Sequence, residues 1–191
     1  MTQFAGLGMK VWGSTLSLCL VLHFCGAQEI PPAPEGKAVV YIVRTSAYGF
    51  GNSFAYLDSA RLIGKFGATK YIRYECSPGR HLFWVSSENN SFVDAHVNAG
   101  RVYFLYVDAE AGENGPTANL LPVDPKNRDV MMRIFKLMNK KSAITFTPAE
   151  LAEDTKELKA DIKKGLTKHA ADKAKGEVMA SLTADMYYPL K

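Results

Sequence analysis

The sequence predicts a mainly β fold, an antiparallel β-sandwich (immunoglobulin-like or a small barrel) followed by an α-helical tail. Three observations carry this expectation. Short stretches rich in aromatic and β-branched residues recur from Lys37 to Val123 at spacings of about eight to twelve residues, the signature of a sandwich or barrel. Proline, glycine and asparagine punctuate them at positions that demand turns. Beyond Asp124 the apolar residues change to intervals of three and four, which is helical spacing.

The N-terminus speaks of address. Lys10 is the only charge before an uncharged stretch from Val11 to Phe24, and small residues close it at Cys25-Gly26-Ala27. The apolar core is too short for a spanning helix, and the layout is that of a secretory signal peptide over 1–27, cleaved after Ala27. Neither Cys19 (after Leu18) nor Cys25 (after Phe24) follows the small residue that lipidation needs. An exported, periplasmic or extracellular chain is therefore expected. Of its three cysteines only Cys76 would survive cleavage, so a core rather than a disulfide must hold the fold. The net charge of +4 has no basic cluster behind it, which excludes nucleic acid as the expected partner.

In chain order, Ile30 to Gly36 reads as an exposed proline-rich linker within 28–36. Lys37 to Arg44 (KAVVYIVR) is the first strand. The glycine-rich loop after it carries Tyr48, Phe50 and Asn52, a candidate binding loop for a glycan or a peptide. Its glycines match no phosphate-binding spacing. Ser53 to Asp58 and Arg61 to Phe66 form a pair around Asp58-Ser59-Ala60. Tyr71 to Cys76 and His81 to Ser86 flank Ser77-Pro78-Gly79-Arg80, where proline presets φ and glycine supplies φ > 0, so a β-hairpin is expected. Cys76 shares a face with Ile72 and Tyr74 and reads as a buried, inert thiol. Further turns at Glu88 to Ser91 and Asn98 to Arg101 bracket the next strand. The nearly continuous apolar run Val102 to Val107 fits a central strand covered on both faces. Thr117 to Val123 is the expected last strand, and alternation in most strands suggests one wet face and one packed face.

The succession KAVVYIVR, FAYLDSARLIGKF, YIRYECSPGRHLFWV and VNAGRVYFLYV resembles the family called domain of unknown function 2846. That family places a strand before an "lD…lig" hairpin, a "pG.h" turn and an "aG..Yy" strand, and the likeness spans Lys37 to Val107. The resemblance implies a bacterial, exported or lipid-anchored domain with no established activity and no catalytic residues to carry over. Ser59-Ala60 stands where a glycine usually makes the hairpin turn, and the lipid-attachment cysteine is missing.

In the tail (124–191), Asp124-Pro125 is expected to open a helix whose stripe is Val130, Met131, Ile134, Phe135 and Met138. Thr147-Pro148-Ala149-Glu150 is a capping box that starts another. Leu151, Thr155, Leu158, Ile162 and Leu166 recur at helical spacing, with acidic residues early and lysines late, as the helix dipole favours. Gly165 either breaks this helix or lets it run to about Ser181, where the apolar side thins to alanine and the tail packs weakly or seeks a partner.

No catalytic motif is present. Asp94 and His96, two apart on one strand, share a face, and His81 is the residue that would join them from across the sheet as a metal or hydrolase site. Two ligands are short of the three or four a metal needs, no GxSxG elbow occurs, and nothing recognisable activates the Cys76 thiol for a pairing with His81. The expected function is a non-enzymatic binding or scaffolding module of the cell envelope with no cofactor, its partner a protein or glycan. The alternatives are a small hydrolase or metal-dependent enzyme using Asp94, His96 and His81, and docking to a partner or membrane surface, without an integral span, through the amphipathic tail.

Overall fold

In the computed structural model the described residues are 1–2, 30–48 and 51–190. The leader expected over 1–27 therefore lies, apart from its first two residues, outside them, as does Phe50. Among these residues nine strands form two sheets. Strands β1 (Ala38–Arg44), β4 (Lys70–Cys76), β7 (Val102–Ala111) and β8 (Pro116–Pro122) make one, in the order β4-β1-β7-β8. Strands β2 (Phe54–Asp58), β3 (Arg61–Phe66), β5 (Gly79–Ser86), β6 (Ser91–Val97) and β9 (Ala180–Leu182) make the other, in the order β3-β2-β5-β6-β9. The fold is the β-sandwich with a helical tail that the strand spacing indicates. It is mixed rather than wholly antiparallel, because β1–β7 and β6–β9 run parallel. Both are long-range pairings, free of the hairpin connection that forces antiparallel neighbours.

Helices make it a four-layer molecule. Between the sheets Val40, Ile42, Tyr56, Phe83, Val85 and Leu105 are fully buried. On the outer face of the four-stranded sheet, Val39, Tyr41, Val43 and Phe104 meet Met131, Ile134 and Met138 of α1 (Arg128–Met138). On the other outer face, Leu57, Trp84 and Phe92 meet Ile162 of α3 (Lys159–Ala174), with Leu151 of α2 (Pro148–Glu157) packed alongside. The expected wet faces are thus largely covered, which is why every residue of β1 is buried and why Val102 to Leu105 of β7 can be apolar throughout. Ile30 of the proline-rich entry is buried in the α1 cluster rather than exposed.

Several expectations are corrected. Tyr71 to Ser86 is no hairpin: β4 pairs with β1 and β5 pairs with β2 and β6. Pro78-Gly79 is instead a corner that carries the chain from one sheet to the other, with Gly79 at φ 126°, a conformation that glycine alone adopts without strain. Helix α1 opens at Asn127, whose side chain accepts from the Val130 amide; Asp124 spends its carboxylate on the Lys126 amide one turn earlier. The capping box at Thr147 and Glu150 is present. The break after it falls at Leu158 (φ −85°, ψ 3°), not at Gly165, and α3 ends at Ala174 rather than running to Ser181. The next element is β9, so the last strand lies in the tail and closes the sandwich from outside 37–123.

The β2–β3 turn explains how serine stands in for glycine. Of its two central residues only Ser59 has positive φ (53°), the sign pattern of a II′ turn, which favours glycine at that position. Its carbonyl accepts from Trp84 Nε1 at 2.8 Å and its amide donates to Leu82 at 2.7 Å, so the strained turn is pinned to β5. Ser59→Gly should keep both backbone bonds, relieve the strain and raise stability by about 0.5–1 kcal/mol. A urea midpoint that falls would contradict this.

Candidate functional site

Strand β5 divides two environments. Its hairpin with β6 sets Arg80 opposite His96, His81 opposite Ala95 and Leu82 opposite Asp94. Directly opposed residues share a face. Arg80, Leu82, Asp94 and His96 therefore lie on the outer face, and His81 lies on the inner face with Phe83, against which its ring stacks at 5.4 Å. Asp94 and His96 share a face as the period of two indicates. His81 does not join them, because the register places it one residue out of phase.

On the inner face His81 is part of a network that ties both sheets at the Pro78-Gly79 corner. Its Nδ1 lies 2.7 Å from Asp58 Oδ2 and its Nε2 lies 2.8 Å from the Ser77 carbonyl. The Tyr74 hydroxyl donates to the same Asp58 oxygen at 3.1 Å. A carbonyl only accepts, so Nε2 donates; the carboxylate accepts from Nδ1, and the ring is an imidazolium. Asp58 and His81 are only 11% and 14% exposed at the side chain, so the pair is shielded from water. With both nitrogens donating, His81 has no lone pair for proton abstraction, which a catalytic base requires.

The hydrogen bond to Asp58, helped by Cys76 and the Ser77 carbonyl and opposed by burial, pushes His81 up to about 10. Unfolded histidine titrates near 6.5. The folded state holds the proton more tightly, so this stabilisation is complete below about pH 6.5 and is lost as pH rises through about 10. Tyr74 acts in the same sense, since burial and then the Asp58 charge raise its phenol. The melting temperature should fall by about 5 °C more between pH 7 and pH 10 in the parent than in His81→Gln. Parallel pH profiles would contradict the assignment.

The outer face carries a cleft of about 520 Å³. Arg80, Asp94 and His96 come from the β5–β6 hairpin, Ser181 from β9, and His169 and Lys173 from α3. Positions 169 and 173 are one helical turn apart and so face the sheet together. Trp84 sets how close α3 comes: a Cβ on Gly165 would lie 2.5 Å from its ring. His169 packs on Phe92 at 5.1 Å, and its Nε2 is buried without a hydrogen-bond partner, 3.8 Å from Asp94 Oδ1. Lys173 Nζ lies 3.6 Å from Asp94 Oδ2. Among the described residues the cleft therefore gathers Arg80, His96, His169 and Lys173 around one carboxylate, while His81 also borders it but commits both ring nitrogens to Asp58 and Ser77. Among the described residues no three of His, Cys, Asp and Glu converge closely enough to hold a metal ion.

Of the glycine-rich loop, Tyr48 is half exposed and Asn52 exposed. Both are anchored through their carbonyls, which accept from Arg44 Nη2 at 2.7 Å and Nη1 at 2.9 Å. Arg44 is itself fully buried, with its guanidinium 4.6 Å above the Phe54 ring, so the loop ends are tied into the core. Cys76 is buried and free, on the inner face with Ile72.

Asp58, Tyr74, Arg80, His169, Lys173 and Ser181 are the residues that sequence reasoning did not single out. Asp58 reads as a turn residue because the β2–β5 pairing that brings it to His81 has no local mark. The His169–Lys173 spacing was the one available signal. No family model and no curated protein matches this chain. Among the described residues no helix is long and apolar enough to cross a membrane.

Proposed function

We propose that the protein is an exported β-sandwich module of the bacterial cell envelope that binds rather than transforms its partner, akin to the domain of unknown function 2846 family. The observation that carries the reading is the state of the His81–Asp58 pair. It is the one short His–carboxylate contact among the described residues, and both its ring nitrogens are committed to acceptors. A Ser–His or Cys–His hydrolase needs a histidine with a free lone pair beside its nucleophile. The outer cleft, by contrast, is open, polar and rich in donors, which suits recognition. The leader-like residues before Gln28 and the family resemblance across β1 to β7 support export. Expression in a bacterial host followed by fractionation and intact mass tests the reading. The expected product lies outside the cytoplasm with a mass that starts at Gln28. An uncut cytoplasmic chain, or turnover of ester or phosphoester substrates abolished by His96→Gln in a folded variant, would overturn it.

A further inference from the structure

We propose that the cleft between the β5–β6 hairpin, β9 and α3 is an oxyanion site, which takes a carboxylate or phosphate group through Arg80, His96 and Lys173. This rests on the reading of the protein as a binding module and names what that module holds. Arg80 lies directly opposite His96 on the outer face of the hairpin. Basic residues in that relation repel when both are charged and add nothing to the sheet. Neither side chain makes a hydrogen bond or ion pair among the described residues, and both residues are exposed and line the cleft. An anion seated between them turns the repulsion into a two-sided clamp, and the planar fork of arginine matches carboxylate and phosphate oxygens in pairs.

Among the described residues Asp94 is the only carboxylate lining the cleft, and it lies between His169 at 3.8 Å and Lys173 at 3.6 Å. Both separations exceed a normal hydrogen bond, so Asp94 orients the two bases without consuming their donors. Lys173 remains mostly exposed and able to reach a ligand. Ser181 lies beside Asp94 in the β6–β9 register and adds a hydroxyl donor at the floor. The β5–β6 hairpin and α3, distant in sequence, thus place basic donors around one cavity and β9 adds a hydroxyl, with too little negative charge to neutralise them.

The group could arrive as a free anion or on a lipid headgroup, and the test separates these. Backbone amide spectra of the protein are titrated with inorganic phosphate, with citrate, and with phosphatidylglycerol vesicles set against phosphatidylcholine vesicles. The expected result is a saturable response confined to residues 80–82, 94–96 and 181–184. Arg80→Gln and Lys173→Gln should each weaken it about tenfold, with unchanged melting curves since both side chains are exposed. A response to phosphate or citrate alone assigns a free anion; a response to the anionic vesicles alone assigns a headgroup. No saturable response in any arm, or one that both variants leave unchanged, overturns the proposal. That failure is distinct from failure of the module reading, which is decided by processing and location.

Discussion

Asp58→Ala is expected to destabilise the protein by about 3–5 kcal/mol, read from urea unfolding near pH 7, where its partner is charged. The carboxylate accepts from His81 and Tyr74 at once, and its removal strands an imidazolium in a site that is only 14% exposed. The ring answers by shedding its Nδ1 proton, and the neutral tautomer that remains keeps only the Nε2–H bond to the Ser77 carbonyl. Tyr74→Phe, which deletes one donor and leaves the ion pair, should cost only about 1 kcal/mol. Asp58→Ala combined with His81→Leu should cost clearly less than the sum of the two single changes, because no unpaired charge is left behind. A loss below about 1 kcal/mol for Asp58→Ala would show that the corner is held by packing alone.

Gly165→Leu should detach α3 from the sheet at a cost of about 3 kcal/mol. A Cβ there already meets two Trp84 ring atoms at 2.5 Å, and Trp84 is fully buried with its indole nitrogen bonded to Ser59, so the ring has no room to retreat. The helix must lift, which uncovers Ile162 and moves His169 and Lys173 away from the β5–β6 hairpin. Hydrogen exchange is the fitting readout. Protection should collapse across 159–174 and in β9 while β1 and β7 stay protected. Any anion response at the cleft should vanish with it. Gly165→Ala should show a weaker form of the same pattern, since the gain in helix propensity offsets part of the clash. Uniform protection in Gly165→Leu would mean that α3 tolerates the larger spacing.

These two positions also show what local sequence discloses. Strand existence was legible, because aromatic and β-branched runs between strong turn residues have few other readings. Strand pairing was legible for β2 and β3 around Asp58-Ser59-Ala60, but not for the pairings between distant strands. Pro78-Gly79 encodes a sharp reversal with φ > 0 at glycine, and that chemistry is the same whether the next strand returns beside the last or crosses to the facing sheet. The three residues of β9 carry no recognisable pattern of their own and become a strand only by lying against β6. Gly165 looks like a helix breaker in isolation, yet its lack of a side chain is what lets α3 approach Trp84. The candidate site divides in the same way. Asp94 and His96 fall on one face by the period of two, whereas the partner of His81 depends on the β2–β5 pairing and the charges facing Asp94 depend on how α3 docks.

Strand β5 divides the molecule, with His81 holding the fold from within and the basic cleft outside proposed to receive the anion. Histidine ring nitrogen spectra near pH 8, recorded with and without inorganic phosphate, test both halves together. His81 is expected to show two protonated ring nitrogens that phosphate does not perturb, while His96 and His169 shift as the anion is added. A neutral His81 ring, or one that responds to phosphate as His96 and His169 stay still, would contradict the account.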